Sequence, residues 1–323
     1  MEREIALQDY EKAVAGAISD FHSHIGEYLV QHAGYLEKLV RDGMLLLGKQ
    51  MEKQGKEYVC FIYFSWLKID LINRKYRFLL HGLDARWYLD DEPAEVYVEA
   101  TELFEPFDKL RDALEEANRG YGGAVNDYDV RKLLFAELPF LDSCTCQVLR
   151  YVLRDWEEKG IFEPVTRSPY WLLKWGEYRD RAEFLVQTDR VAKPASAWKK
   201  ELTKAVHDPE HMVFSYWYKG NCEKKSPKDI DMRFITFEEC NLRDLAFENC
   251  NMEGSRFTRS SIVNCSFAGC NLSGADFRNS RFENTSFAGA ELTAAIFPAE
   301  SIPFLEISAE QLQVICIYRG ENA

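Results

Sequence analysis

No stretch of this sequence approaches eighteen consecutive apolar residues, so none reads as a transmembrane helix. The N-terminus, Met-Glu-Arg-Glu, is acidic rather than signal-like, and a soluble cytoplasmic protein is the simplest expectation. Positive charge is also short, since 40 Lys and Arg stand against 53 Asp and Glu, a formal net charge of −13. An acidic chain disfavours non-specific binding to nucleic acid or anionic membrane, so neither is expected as a partner. The short signatures of chemistry are missing too. There is no nucleophile elbow, Walker loop, dinucleotide fingerprint or metal motif of acceptable spacing. No catalytic residue, cofactor-binding residue or metal ligand is therefore assigned, and the balance favours a non-enzyme.

Isolated features that resemble sites have plainer readings. His22, His24 and His32 have no Cys or carboxylate partner at ligand spacing. His207 and His211 are four apart, but Pro209 lies between them and would disturb a helix presenting both rings, which leaves a turn with two solvated histidines. The glycines after Arg119 lack a preceding apolar strand and a following Lys-Ser or Lys-Thr. Among nine cysteines, Cys144 and Cys146 have no second pair nearby, so zinc is not expected.

What the chain has is a period of five. Phe237, Leu242, Phe247, Met252, Phe257, Ile262, Phe267, Leu272, Phe277, Phe282, Phe287, Leu292 and Phe297 are in phase. Helices repeat near 3.6 and strands near 2, so this is an internal repeat. Two residues before each lies a mostly small row that includes Cys240, Cys250, Cys265 and Cys270, where a free thiol acts as a compact hydrophobe. Cys250 and Cys270 should stack, and a reducing compartment would keep them as thiols. Positions twenty apart fall into columns: Phe237, Phe257, Phe277 and Phe297 form one, and Phe247, Phe267 and Phe287 another. If twenty residues make one turn, like stacks on like at about 4.8 Å. Turn formers two residues after the large ones, among them Asp244, Asn249, Gly254, Asn279 and Gly289, suit four corners per turn.

Cys240-Asn241-Leu242, Cys250-Asn251-Met252, Cys270-Asn271-Leu272 and Ala275-Asp276-Phe277 carry a resemblance to the pentapeptide repeat family over about seventy residues. The resemblance implies a right-handed quadrilateral β-helix, here of a little over three coils. It implies little about activity, because the family is defined by shape.

Elsewhere, residues 3 to about 50 read as helix, with breaks plausible at Gly26, Gly34 and Gly43. Residues 57–89 read as an antiparallel strand pair turned at Asn73-Arg74-Lys75. Helices are expected over 107–118, 127–138 and 142–160, the last capped by Asp142 or Ser143, with Pro139 between the latter two. That helix pair before strand material could suggest a winged helix, but its mixed charge favours a structural hairpin. Residues 170–175 and 182–187 make a second strand pair, 193–207 a helix and 213–218 a final strand. The expected organisation is an α+β domain over 1–218, a basic linker over 219–229, the β-helix over 230–300 and a C-terminal cap over 301–323. In the cap, Ser308-Ala-Glu-Gln311 is a capping-box pattern opening a short helix. Coil ends need covers, and the N-terminal domain is expected to supply the other.

The leading functional reading is a non-enzymatic interaction or scaffold protein whose β-helix is a rigid docking module for a protein partner or for self-association. The expected docking face is the nearly bare side formed by Ala246, Ser266, Ala268, Ser286 and Ala288. One alternative comes from the resemblance: some pentapeptide repeat proteins protect DNA gyrase by imitating duplex DNA, although this coil is short and carries six arginines over 231–297. Another places a ligand-binding or catalytic pocket among Trp66, Trp87, Trp171, Trp175 and Trp217.

Overall fold

The computed structural model describes residues 3–320; the first two residues of the acidic N-terminus and the last three of the expected cap, 321–323, lie outside them. Two compact units divide the chain, one ending at Val186 and one starting at Gln187. The boundary differs from the expected 218 for a physical reason. Trp198, Leu202, Ala205 and Met212 share a single core with Phe237 and Phe247 of the repeat.

In the first unit, helices α1 (Arg3–Gln31) and α2 (Ala33–Gln54) are interrupted at His32, not at a glycine. Gly43 lies inside α2, where a Cβ would come within 2.6 Å of Leu80 and 2.7 Å of Phe64; its role is close approach to the sheet. Strand β1 (Val59–Trp66) pairs antiparallel with β2 (Arg77–Leu83), as the aromatic and β-branched run predicts. The connection between them is longer than a tight turn and holds α3 (Lys68–Ile72). A third strand, β3 (Ala94–Glu99), emerges from the segment read as mixed and pairs antiparallel with β2.

Helices α4 (Thr101–Asn118), α5 (Asp127–Ala136) and α6 (Leu138–Val152) follow. Pro139 stands in the first turn of α6, where a missing N–H costs nothing, so it opens that helix. Asp142 is consequently one turn inside α6 and does not cap it. Strands β4 (Arg167–Glu177) and β5 (Ala182–Asp189) complete a sheet of order β3-β2-β1-β4-β5, in which β1 and β4 run parallel. Because β4 sits inside this sheet, the helices before it belong to a layered α/β unit. Ile62, Phe64, Phe78, Leu80, Leu173 and Trp175 of the sheet share one core with Leu36, Val40, Met44 and Leu47 of α2.

The second unit opens with α7 (Ala197–Ala205) and becomes a four-sided β-solenoid at Tyr216. Parallel pairing at an offset of twenty residues runs from Tyr216 through Thr236, Arg256, Asp276 and Ile296 to Cys316, about five turns rather than a little over three. The other sides carry the ladders Asn221-Asn241-Ser261-Arg281, Ala246-Ser266-Ser286-Glu306 and Asp231-Asn251-Asn271-Glu291. Residues 219–229, expected as a linker, lie within the first turn, since Asn221 and Cys222 pair with Asn241 and Leu242.

The Phe columns stack as the twenty-residue comparison predicts. Phe247, Phe267 and Phe287 lie 4.8 and 5.2 Å apart with planes within 10°, and Phe257, Phe277 and Phe297 are 4.5 and 4.8 Å apart. At the corners, Asp244, Asn249, Gly254, Asn264, Gly269, Gly274, Asn284 and Gly289 all have left-handed backbone angles, whereas Asn279 is not among them. The small row is selected for more than size. Cys240, Ser260, Cys265, Cys270 and Thr285 each donate a hydrogen bond to the carbonyl 23 residues earlier, tying one turn to the previous one.

Both ends are covered from within this unit. Trp198 of α7 lies buried against Trp217, Phe237 and Phe247, and its indole donates to the Lys225 carbonyl at 2.9 Å. At the far end, α8 (Ala309–Leu312) carries the expected capping box between Ser308 and Gln311. The Gln311 amide then donates to the Phe287 and Ala290 carbonyls at 2.9 and 2.7 Å, tying the short helix to the turn before it.

Candidate functional site

The solenoid brings the five residues of the expected docking face onto one side. Ala246, Ser266 and Ser286 are bridged one above the other, with Ala268 and Ala288 two residues beyond the latter two. Ala288 is exposed and the others are half-buried, so the side is a shallow surface of one- and two-atom side chains. Its margins are charged. The Lys228–Glu248 pair, 3.0 Å apart, stands on the first turns, and Glu306 continues the ladder past Ser286. The seven Phe core residues are fully buried and contribute only rigidity.

A different kind of site lies in the first unit. Trp66 ends β1, Trp175 lies near the end of β4, and the parallel register places Trp66 opposite Glu177. Both indoles point at Asp142 of α6. Trp66 Nε1 donates to Asp142 Oδ2 at 2.9 Å and to Oδ1 at 3.1 Å, and Trp175 Nε1 donates to Oδ1 at 3.2 Å. The three residues form part of a cavity of about 190 Å³ walled by Phe135, Leu138 and Pro139, with Lys68, Glu177, Arg181 and Glu183 also lining it.

Burial above all, with Glu183 and Glu177 adding to it and the two indole hydrogen bonds opposing it, leaves the Asp142 carboxyl raised to about 7. Lys68 pairs with Glu177 at 2.5 Å and Arg150 with Glu183 at 3.0 Å, whereas the Asp142 carboxyl accepts from the neutral indole N–H groups of Trp66 and Trp175. A carboxyl that changes charge near neutrality in an apolar cavity can accept a proton, donate one or balance a cation.

Of the five tryptophans considered for a pocket, two are in it. Trp171 packs edge-on against Trp156 at 5.4 Å, Trp87 donates to the Tyr63 hydroxyl at 2.9 Å, and Trp217 belongs to the second unit's core. Asp142, expected as a helix cap, stands inside α6 instead. Its signal was position: it lies four residues from both Leu138 and Cys146 and seven from Leu149, all buried, so it interrupts an apolar helical stripe.

Two of the histidines face carboxylates. His22 lies 2.5 Å from Glu137, and His211, expected to be solvated, is half-buried 2.5 Å from Glu201. Among the described residues no group of three or more His, Cys, Asp or Glu could hold a metal ion, and no helix is long and apolar enough to cross a membrane.

Comparison with known proteins addresses the second unit. Residues 218–277 match the model of a pentapeptide repeat region, and residues 260–297 match that of pentapeptide repeats in eight copies. Neither match extends before residue 218, and no curated protein matches the chain. A pentapeptide repeat protein, Rfr23, from the cyanobacterium Cyanothece 51142 is 17% identical over 24% of this chain and 52% of its own, with a TM-score of 0.23. The chain thus spans about half the length of that relative. The pentapeptide repeat protein alr5209 from Nostoc PCC 7120 is 12% identical over 39% of this chain and 99% of its own, TM-score 0.24. QnrB1, a plasmid-mediated fluoroquinolone resistance protein, is 14% identical over 32% of this chain and 52% of its own, TM-score 0.16.

Proposed function

With residues 218–297 a pentapeptide repeat region, we propose that the solenoid is a rigid docking module for a protein and that its bare side is the contact. The observation that carries this reading is the uncharged ladder of Ala246, Ser266 and Ser286, flanked by Ala268 and Ala288. A regular surface without long side chains lets another backbone approach closely and immobilises few rotamers on binding. Stacked Phe columns and caps at both ends hold that surface in shape, so little ordering is required when a partner docks.

Self-association is the form of docking that can be tested on the protein alone. Sedimentation equilibrium of the full chain should show an association that Ala268→Arg with Ala288→Arg weakens at least tenfold, since two guanidinium groups would be driven into a close contact. For a foreign partner, a pull-down compares the same variant with wild type. Unchanged association together with an unchanged set of captured proteins would rule out this side as the contact.

Protection of DNA gyrase is the second reading, and the charge pattern weighs against it. Residues 216–318 hold fourteen carboxylates against ten Lys and Arg. Several of those acids are neutralised locally, by Arg233 on Asp231, Arg259 on Glu238 and Arg278 on Asp276. Gyrase supercoiling assayed with a fluoroquinolone is expected to be the same with and without the protein.

A further inference from the structure

We propose that the cavity at Asp142 binds a small organic cation, a primary ammonium or guanidinium group on an apolar stem, with the Asp142 carboxylate as its counter-charge. Three observations converge on this chemistry. Asp142 lies at a cavity whose volume of about 190 Å³ corresponds to roughly six waters, room for a small ligand but not for a peptide chain. Its oxygens are oriented by two indole N–H groups that carry no net charge, so the ionised form is held in place but not neutralised. The cavity lining sums to an acidic excess, with Asp142, Glu177 and Glu183 against Lys68 and Arg181.

The basic groups nearby are engaged elsewhere. Lys68 on α3 is 2.5 Å from Glu177 on β4, and Arg150 on α6 is 3.0 Å from Glu183 on β5. Arg181 is mostly exposed and 3.9 Å from Glu183. Cys146, one turn along α6, is buried and its thiol is pushed up strongly by burial, so it stays neutral and supplies no charge. The remaining walls, Phe135 on α5 with Leu138 and Pro139 on α6, offer an apolar lining for the stem. An ammonium or guanidinium head at Asp142 would restore the pairing that buried carboxylates ordinarily have.

The binding carries a pH signature whose sign follows from the carboxyl's raised position at about 7. A cation selects the ionised form, so affinity is full above that pH and falls about tenfold per unit below it, or roughly thirtyfold between pH 8 and pH 5.5. The test uses the full-length chain labelled with ¹⁵N in its tryptophan indoles, titrated with benzylammonium chloride, with benzyl alcohol and benzoate as matched probes. Trp66→Phe assigns one of the two signals that should move. Benzylammonium is expected to shift the Trp66 and Trp175 indole resonances at pH 8, with about thirtyfold weaker affinity at pH 5.5, and benzoate is expected to shift neither. Asp142→Asn should abolish the shift. Should that variant not fold, the wild-type pH series decides alone. Equal shifts from benzoate or benzyl alcohol, an affinity independent of pH, or no movement with benzylammonium at saturating millimolar concentration would each overturn the assignment.

Discussion

Phe267→Ala tests the mechanical premise of the solenoid. The Phe267 ring is fully buried, lies nearly parallel to Phe247 and Phe287 at 4.8 and 5.2 Å, and meets Phe257 and Phe277 edge-on at 6.0 and 6.3 Å. Truncating a buried Phe costs about 3–5 kcal/mol through lost transfer energy and the cavity left behind. The four aromatic contacts place this site in the upper half of that range, because each adds a geometric preference of about 0.5–1.5 kcal/mol beyond burial. A loss of about 4 kcal/mol accelerates exchange from globally opened states roughly a thousandfold.

Hydrogen–deuterium exchange on the full chain resolves where that loss falls. The Phe267, Met252 and Leu272 amides, bonded at 2.9, 2.7 and 2.8 Å to the next turn, should lose protection, while those in β1 and β2 of the first unit keep theirs. Phe304→Ala is the control; that ring is 79% exposed, and its truncation should stay within about 0.5 kcal/mol. If Phe267→Ala changes exchange by less than tenfold, or loosens β1 as much as the solenoid, stacked columns are not what rigidifies the module.

Three further outcomes are expected. His81 is buried with neither ring nitrogen hydrogen-bonded, and burial lowers its pKa to about 4. The unfolded chain therefore takes up a proton that the folded one refuses; stability is intact above pH 6.5 and falls by up to about 3 kcal/mol as the pH drops to 4. His81→Phe, which keeps the stack on Tyr63, should flatten that part of a urea-denaturation series. Glu238 is 2% exposed and takes hydrogen bonds from Arg190, Arg259 and Tyr216, which hold its carboxyl below the usual range against the opposing effect of burial. Its contribution is present above the ordinary carboxylate range and is lost as the pH falls through it; Glu238→Ala should cost about 2–4 kcal/mol at pH 7 in chemical denaturation of the second unit. Gln311→Ala removes two hydrogen bonds from the last turn and should raise exchange at Ala294 and Cys316 by about 1–2 kcal/mol without affecting the first turns.

The solenoid was legible because its contacts recur at a fixed offset, so one sequence contains several readings of the same environment. Its five turns exceed the three that the obvious repeats suggest, for a physical reason. Residues 219–229 are lysine-rich and contain Pro227, the composition of a linker. Yet Trp217, Cys222, Pro227 and Met232 continue the five-residue phase and are all buried, because only about two positions in five face inward and the rest are free to be polar. At the other end Pro298 and Pro303 look like breaks, but Ile302, Ile307, Leu312 and Ile317 keep the same phase, and Ile317 pairs with Phe297. Phase carries information that composition hides.

The Asp142 cavity was hidden by the opposite property. Its three central residues are Trp66, Asp142 and Trp175, and they meet because β4 returns parallel to β1 after two further strands and four α-helices, a pairing over about a hundred residues that no local pattern specifies. Each member had a sufficient local explanation: a strand aromatic, a helix cap, another strand aromatic. What no local reading explained was an aspartate in phase with Leu138, Cys146 and Leu149. Leucine at that position would pack without desolvating a charge, and burial of the carboxyl works against folding at neutral pH, since the unfolded chain ionises freely where the folded one resists. Two indole hydrogen bonds offset part of that cost, and the structure thereby maintains an oriented, titratable carboxyl beside an open cavity. A residue that disfavours folding where it stands, while its neighbours are arranged to hold it in place, is better accounted for by what it binds than by what it packs against.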